Sequence, residues 1–149
     1  ALRYEVKGRK YIGTPVKYYF EDVGLRNARL GFRQVEETHL MENIIYNELL
    51  IRGYSVDIGV VVDRRKGSYS QKEIDFVVNK GDKRVYIQSA WQMNTTEKIN
   101  AELDSLKLAK DFFSKIIIQN DIPSHFTDDD GIIHCNLIEF LLNPQLILL

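Results

Sequence analysis

Glu42, Asp75, Gln88 and Ala90 are the residues whose types and spacing bear most directly on chemistry in this chain. On a helical wheel of ~100° per residue, Met41, Ile44, Ile45, Leu49 and Ile51 define one apolar face, and Glu42 lies at its rim beside Leu49. In Glu73-Ile74-Asp75-Phe76-Val77 the period of two that strands impose places Asp75 opposite Ile74 and Phe76. Gln88 and Ala90 share a strand face with Tyr86, and Asn79-Lys80-Gly81-Asp82-Lys83 reads as the hairpin turn that would bring this strand beside the one carrying Asp75. Two carboxylates and an amide then converge at one end of a sheet.

The elements that must position these residues are legible as patterns. Leu2 to Val6 alternates, meets Gly8-Arg9 and continues through Tyr11 and Ile12, as a small hairpin does. Tyr18 to Phe20 is a β-favouring run, and Asp22 can cap a short helix to Leu30, closed by Gly31. A long helix is expected over Leu40 to Arg52, ended by Gly53. Strands are expected over Tyr54 to Val62, Lys72 to Val78 and Arg84 to Ala90. Thr95 or Thr96 would cap a second long helix reaching Phe113, with Ile99, Leu103 and Leu106 at helical spacing. Lys115 to Gln119 and Ile132 to Cys135 read as strands on either side of a polar turn with Pro123 and Asp128-Asp129-Asp130-Gly131, and a last helix starts near Asn136. That order implies an α/β domain whose mixed sheet carries helices on its faces.

Composition narrows the class. The chain has 149 residues, 44% hydrophobic and 28% charged, with no apolar run long enough to span a membrane. One cysteine, Cys135, can form no internal disulfide, which points to a cytoplasmic setting, and the chain opens on Ala1, as an excised segment would. The net charge of -1 argues against a wholly basic nucleic-acid binder, but two local clusters are basic. One holds Lys7, Arg9 and Lys10 in the hairpin; the other is Arg64, Arg65 and Lys66. Both are candidate phosphate contacts, against the plain alternative that charge runs face water. Structural alternatives stand beside the other residues too. Glu42 can be a surface acid, Asp75 can fill a strand's polar face, Trp91 can be packing, and Glu48 needs a partner such as Arg52 one turn on. His39, His125 and His134 lack the spacing of a zinc site, and no G-x-x-x-x-G-K-[ST] phosphate loop occurs.

Glu42 through Gly53-Tyr54, then Glu73 to Val77, then Tyr86-Ile87-Gln88-Ser89-Ala90 resembles the PD-(D/E)XK nuclease pattern of archaeal Holliday-junction resolvases. Lys17 to Asn27, with Glu42-Asn43 and Tyr46-Asn47-Glu48-Leu49, is similar to the uncharacterised C-terminal domain of prokaryotic AAA+ ATPases. The resemblance implies a restriction-endonuclease-like sheet over residues 17–149 and a hairpin over 1–16 left from a winged-helix segment. It also implies an ATPase module elsewhere in the protein as the partner and the place where ATP binds. Gln88 stands where that pattern has an acid, and Ala90 where it has the lysine that positions the attacking water. The resemblance therefore implies a degenerate site with no resident cofactor, at which Glu42 and Asp75 remain as residual, weak ligands for Mg²⁺ or Mn²⁺, on a domain that contacts DNA or a protein. The alternative is an active Mg²⁺-dependent nuclease using a displaced lysine, Lys72 or Lys98.

Overall fold

The computed structural model describes residues 1–13, 15–33, 36–64 and 69–147. The strands are β1 (Arg3–Glu5), β2 (Lys10–Ile12), β3 (Ser55–Asp63), β4 (Ser70–Lys80), β5 (Lys83–Ala90), β6 (Ser114–Gln119), β7 (Phe126–Thr127) and β8 (Ile133–Asn136). The helices are α1 (Val23–Arg29), α2 (Glu37–Ile51), α3 (Thr96–Leu108) and α4 (Leu137–Leu142). Among the described residues the strands form one mixed sheet in the order β2-β1-β3-β4-β5-β6-β8-β7. β1, β3 and their neighbours are tied both ways: β1 runs parallel to β3, while β3, β4 and β5 form an antiparallel meander. The N-terminal hairpin thus continues the main sheet.

Side-chain caps start three of the helices. Asp22 accepts from Leu25 N–H, Thr95 from Lys98 N–H and Asn136 from Ile138 N–H. α2 packs on one face of the sheet through Met41, Ile45 and Leu49, spaced i, i+4, i+8 and essentially inaccessible. Truncating any one of these to alanine would cost about 2–5 kcal/mol. Ile51, expected on that face, is exposed, because the stripe that meets the sheet does not extend to it. α3 covers the other face with Leu103 and Leu106, against Ile74, Val77, Tyr86 and Ile117.

Three sequence expectations give way to local competition for backbone groups. Tyr18 to Phe20 forms no strand, because the Asn43 and Asn47 side chains take the Phe20 backbone N–H and C=O. α3 stops at Leu108 rather than Phe113. Asp111 there accepts from Tyr86 Oη–H and from Phe113 N–H, fixing the turn into β6 instead of another helical turn. The polar segment before β8 contains the two-residue strand β7, which pairs antiparallel with β8.

The correction that matters most for the site lies in β4. Ile74 packs on the α3 side and Phe76 on the α2 side, so the two do not share a face as strict alternation requires. The cause is a bulge: Val77 pairs with Asp57 and Ile74 with Gly59, which leaves Asp75 and Phe76 opposite Ile58 alone. Gly59 permits it. A Cβ there would stand 2.8 Å from Ile74 Cβ and 2.9 Å from Val77 Cγ2, closer than carbon atoms pack.

Candidate functional site

The bulge sets Asp75 at a fork. The β4–β5 ladder runs from Lys80↔Lys83 to Phe76↔Ile87 and stops there. Past that point side chains replace the ladder: Gln88 Oε1 accepts from Asp75 N–H (3.3 Å) and Asp75 Oδ2 accepts from Ser89 N–H (2.8 Å). Asp75 and Gln88 therefore meet, as their places on the two strands imply. Gln88 is buried, and its carbonyl oxygen also accepts from Ser105 Oγ–H on α3 (3.4 Å). A cleft of ≈ 330 Å³ opens at the fork, lined by Glu42, Asp75, Gln88, Ala90, Lys98 and Glu102 among others. All four residues singled out by spacing line this one cleft.

Lys17 binds the acids together. Its ammonium is 3.0 Å from Glu42 Oε1 and 3.9 Å from Asp75 Oδ1, and it forms an ion pair with Glu73 Oε1. Arg3 pairs with the second oxygen of Glu73 at 2.8 Å, and Tyr19 Oη–H donates to Glu42. The extended segment carrying Lys17 and Tyr19 is pinned from both sides. Ala1 and Lys17 exchange backbone hydrogen bonds, Tyr19 stacks on Tyr46 at 4.1 Å, and Asn43 holds Phe20.

The electrostatics follow from burial among like charges. Burial first, then the Glu42 carboxylate, pushes Asp75 up to about 8, against the pull of Ser89 N–H and Lys17. Glu102 is pushed up by burial, with its Gln88 hydrogen bond acting the other way. The Tyr19 phenol is pushed well above its ordinary value by burial and by Glu42, so it serves as a proton donor. Among the described residues no group of three or more His, Cys, Asp or Glu side chains is arranged to hold a metal ion.

The remaining sequence candidates separate. Lys72 forms an ion pair with Asp104, away from the fork, whereas Lys98 lines the cleft. Glu48 takes Arg52 as its partner at 2.8 Å, and the Arg52 guanidinium lies 4.4 Å over the Phe140 ring. Trp91 is half-buried, packing on the α2-side core while facing the cleft. His39, His125 and His134 each pair with a single acid, Glu36, Glu139 and Asp128. Cys135 is buried, its thiol pushed up to about 12 by burial and by Glu139, which leaves it unreactive. Lys7, Arg9, Lys10 and Arg64 are exposed; Arg65 and Lys66 lie outside the described residues. Sequence reading missed Lys17, Tyr19 and Glu102 as parts of the site. Glu102 had a signal, since Lys98, Glu102 and Ser105 recur at helical spacing on one side of α3.

The fold and site define a mixed α/β domain with an acid-lined cleft where two central antiparallel strands part. The chain belongs to the family described as a domain of unknown function (DUF4143), whose model matches residues 37–137. That match includes the fork residues and leaves Lys17 outside. An uncharacterised protein of Haemophilus influenzae is 34% identical over 142 residues, covering 95% of this chain and 32% of that protein. The chain thus spans about a third of this relative's length. No solved structure matches. No helix among the described residues is long and apolar enough to cross a membrane.

Proposed function

We propose that this chain is a PD-(D/E)XK nuclease-like accessory domain that does not cleave, works as the C-terminal part of an AAA+ ATPase, and contacts nucleic acid. The observation that carries the non-cleaving reading is the Lys17 ammonium held by Glu42, Glu73 and Asp75. Phosphodiester hydrolysis in such a fold requires a divalent ion held by anionic oxygens, to activate water and neutralise developing charge. The donor set here does not fit one. Its carboxylates are already compensated by an internal cation, and the Gln88 oxygen is occupied by Asp75 N–H and Ser105 Oγ–H. Ala90, where a catalytic lysine would stand, is a buried methyl. The place in a larger protein is supported by the extra length of the Haemophilus relative, of which this chain covers 32%.

Lys98 favours the competing reading, an active nuclease with a displaced lysine, because it lines the same cleft as Asp75. Supercoiled plasmid incubated with Mg²⁺ or Mn²⁺ decides between them. The expected result is no nicking above buffer. Nicking that disappears in Asp75→Ala overturns the non-cleaving reading.

A further inference from the structure

A second cavity, sharing no residue with the acidic cleft, opens beside the β4–β5 turn. It has a volume of ≈ 230 Å³ and is lined by Tyr4, Arg9, Asp82, Lys83, Arg84 and Phe113 among others. Its wall is a ladder of rings and one planar cation. Tyr11 meets Tyr4 edge-on at 5.4 Å, the Arg84 guanidinium lies 4.9 Å over Tyr4 and 5.5 Å over Phe113, and Phe113 meets Tyr86 edge-on at 6.2 Å. Arg84 is fixed in this position by donating to Asn79 Oδ1 (2.7 Å) and to Tyr4 Oη (3.3 Å).

Two features of this wall are unspent within the fold. Phe112, the chain neighbour of the lining residue Phe113, stands wholly in water and Phe113 keeps more than a third of its surface exposed, so these two rings give the chain little burial energy, whereas Tyr11 is tied to the fold by donating to Asp57 Oδ2 (3.1 Å). Arg9 and Lys83 have no carboxylate within ion-pair distance among the described residues. Arg9 also holds a left-handed backbone, φ 50, at the tip of the hairpin, a conformation that costs energy in a non-glycine residue. A ligand that answers both features must present flat faces to exposed rings and negative charge to cations. Single-stranded nucleic acid does so along its whole length, whereas a duplex keeps its bases stacked inside and offers phosphates alone.

We infer that this surface binds single-stranded nucleic acid, with bases on Phe113 and the adjoining Phe112 and phosphates on Arg9, Lys83 and Arg84. The inference rests on the nucleic-acid contact in the proposed function and gives it a location and a ligand class. This surface shares no lining residue with the acidic cleft, so substitutions address the two separately.

The test is fluorescence anisotropy in EDTA with a labelled oligothymidylate of about 12 nucleotides, within the site size of single-strand binders. Comparison ligands are a blunt duplex, an abasic strand of equal length and thymidine monophosphate. The oligothymidylate is expected to bind at least about tenfold more tightly than duplex or abasic strand. Phe112→Ala, which removes a ring the fold does not use, should weaken binding by about 5- to 100-fold, the range for one stacked base. Lys83→Ala should lower the slope of log affinity against log salt by about 0.7. Equal binding of the abasic strand, an unchanged affinity in Phe112→Ala, or displacement by micromolar thymidine monophosphate overturns the inference. So does an absence of binding. EDTA separates this outcome from the nuclease question: plasmid nicking would overturn the non-cleaving reading alone, and lost strand binding this surface alone.

Discussion

The acidic cleft and the aromatic surface are built from the same residue types and handle charge in opposite ways. In the cleft the acids at the fork are answered from inside. Lys17 serves Glu42, Glu73 and Asp75, Arg3 serves Glu73, and Tyr19 donates to Glu42. At the aromatic surface Arg9 and Lys83 answer no acid among the described residues, and Phe112 touches only water. Internally compensated charge serves the stability of the fold; uncompensated charge beside bare rings does nothing for the fold and is available to a ligand. The comparison makes a sharp demand: pH and substitutions at the cleft should change stability, and substitutions at the aromatic surface should not.

The largest effect expected is on the pH dependence of folding. Asp75 has an ordinary value of 3.8 and is pushed up to about 8 in the folded chain by burial and by Glu42, with Lys17 and Ser89 N–H opposing. A raised folded value means that the native state binds a proton more readily than the unfolded state. Stability from this group is therefore fully present below 3.8 and is lost as pH rises through about 8. Glu102 is shifted in the same direction. Urea midpoints recorded from pH 4 to pH 9 should fall across that window, and Asp75→Asn, which stays neutral throughout, should flatten the fall. An unchanged profile in Asp75→Asn would show that Lys17 fully compensates the carboxylate.

Lys17→Met comes next. It keeps the length of the side chain and removes the cation that pairs with Glu42 and Glu73 beside Asp75. Breaking a fully buried pair in this way costs about 3–5 kcal/mol. Lys17 is partly exposed, so a loss of about 2–3 kcal/mol at pH 7 is expected after solvent screening. Chemical denaturation at pH 7 in low and in about 1 M salt measures it. The loss should shrink in high salt as the ion pairs are screened, and an equal loss in both would mean that packing rather than charge holds the segment.

How far the sequence foretold this arrangement depends on how local its cause is. The cap at Asp22 was legible, as was that of the second long helix to within Thr95 or Thr96 and the start of the last helix near Asn136, because a short polar side chain before an apolar run bonds backbone only a few residues away. The meeting of Asp75 with Gln88 was legible for the same reason, since a two-residue turn at Gly81-Asp82 fixes the register. Lys17 was not. Its place depends on a backbone exchange with Ala1 and on Asn43 holding Phe20, contacts between segments that no local pattern connects. The bulge escaped because Ile74 to Val77 reads as a regular strand. Its one trace was Gly59 amid apolar β-branched residues of β3, where a strand glycine marks a close approach.

The smallest effect expected is the one that separates the two regions most cleanly. Phe112→Ser exchanges an apolar ring for a hydroxyl, a change that would be severe wherever the ring were packed. Here the ring is wholly exposed, so its replacement loses no burial and opens no cavity. Lys83→Met removes a cation with no acid in reach among the described residues, so no partner is left uncompensated. Both variants should therefore melt with the native chain, while oligothymidylate affinity falls in each. Thermal scans beside anisotropy on the same preparations read the two quantities together. Should either variant melt several degrees lower, the aromatic surface would have a part in holding the fold, and its exposed rings and free cations would not be reserved for a ligand.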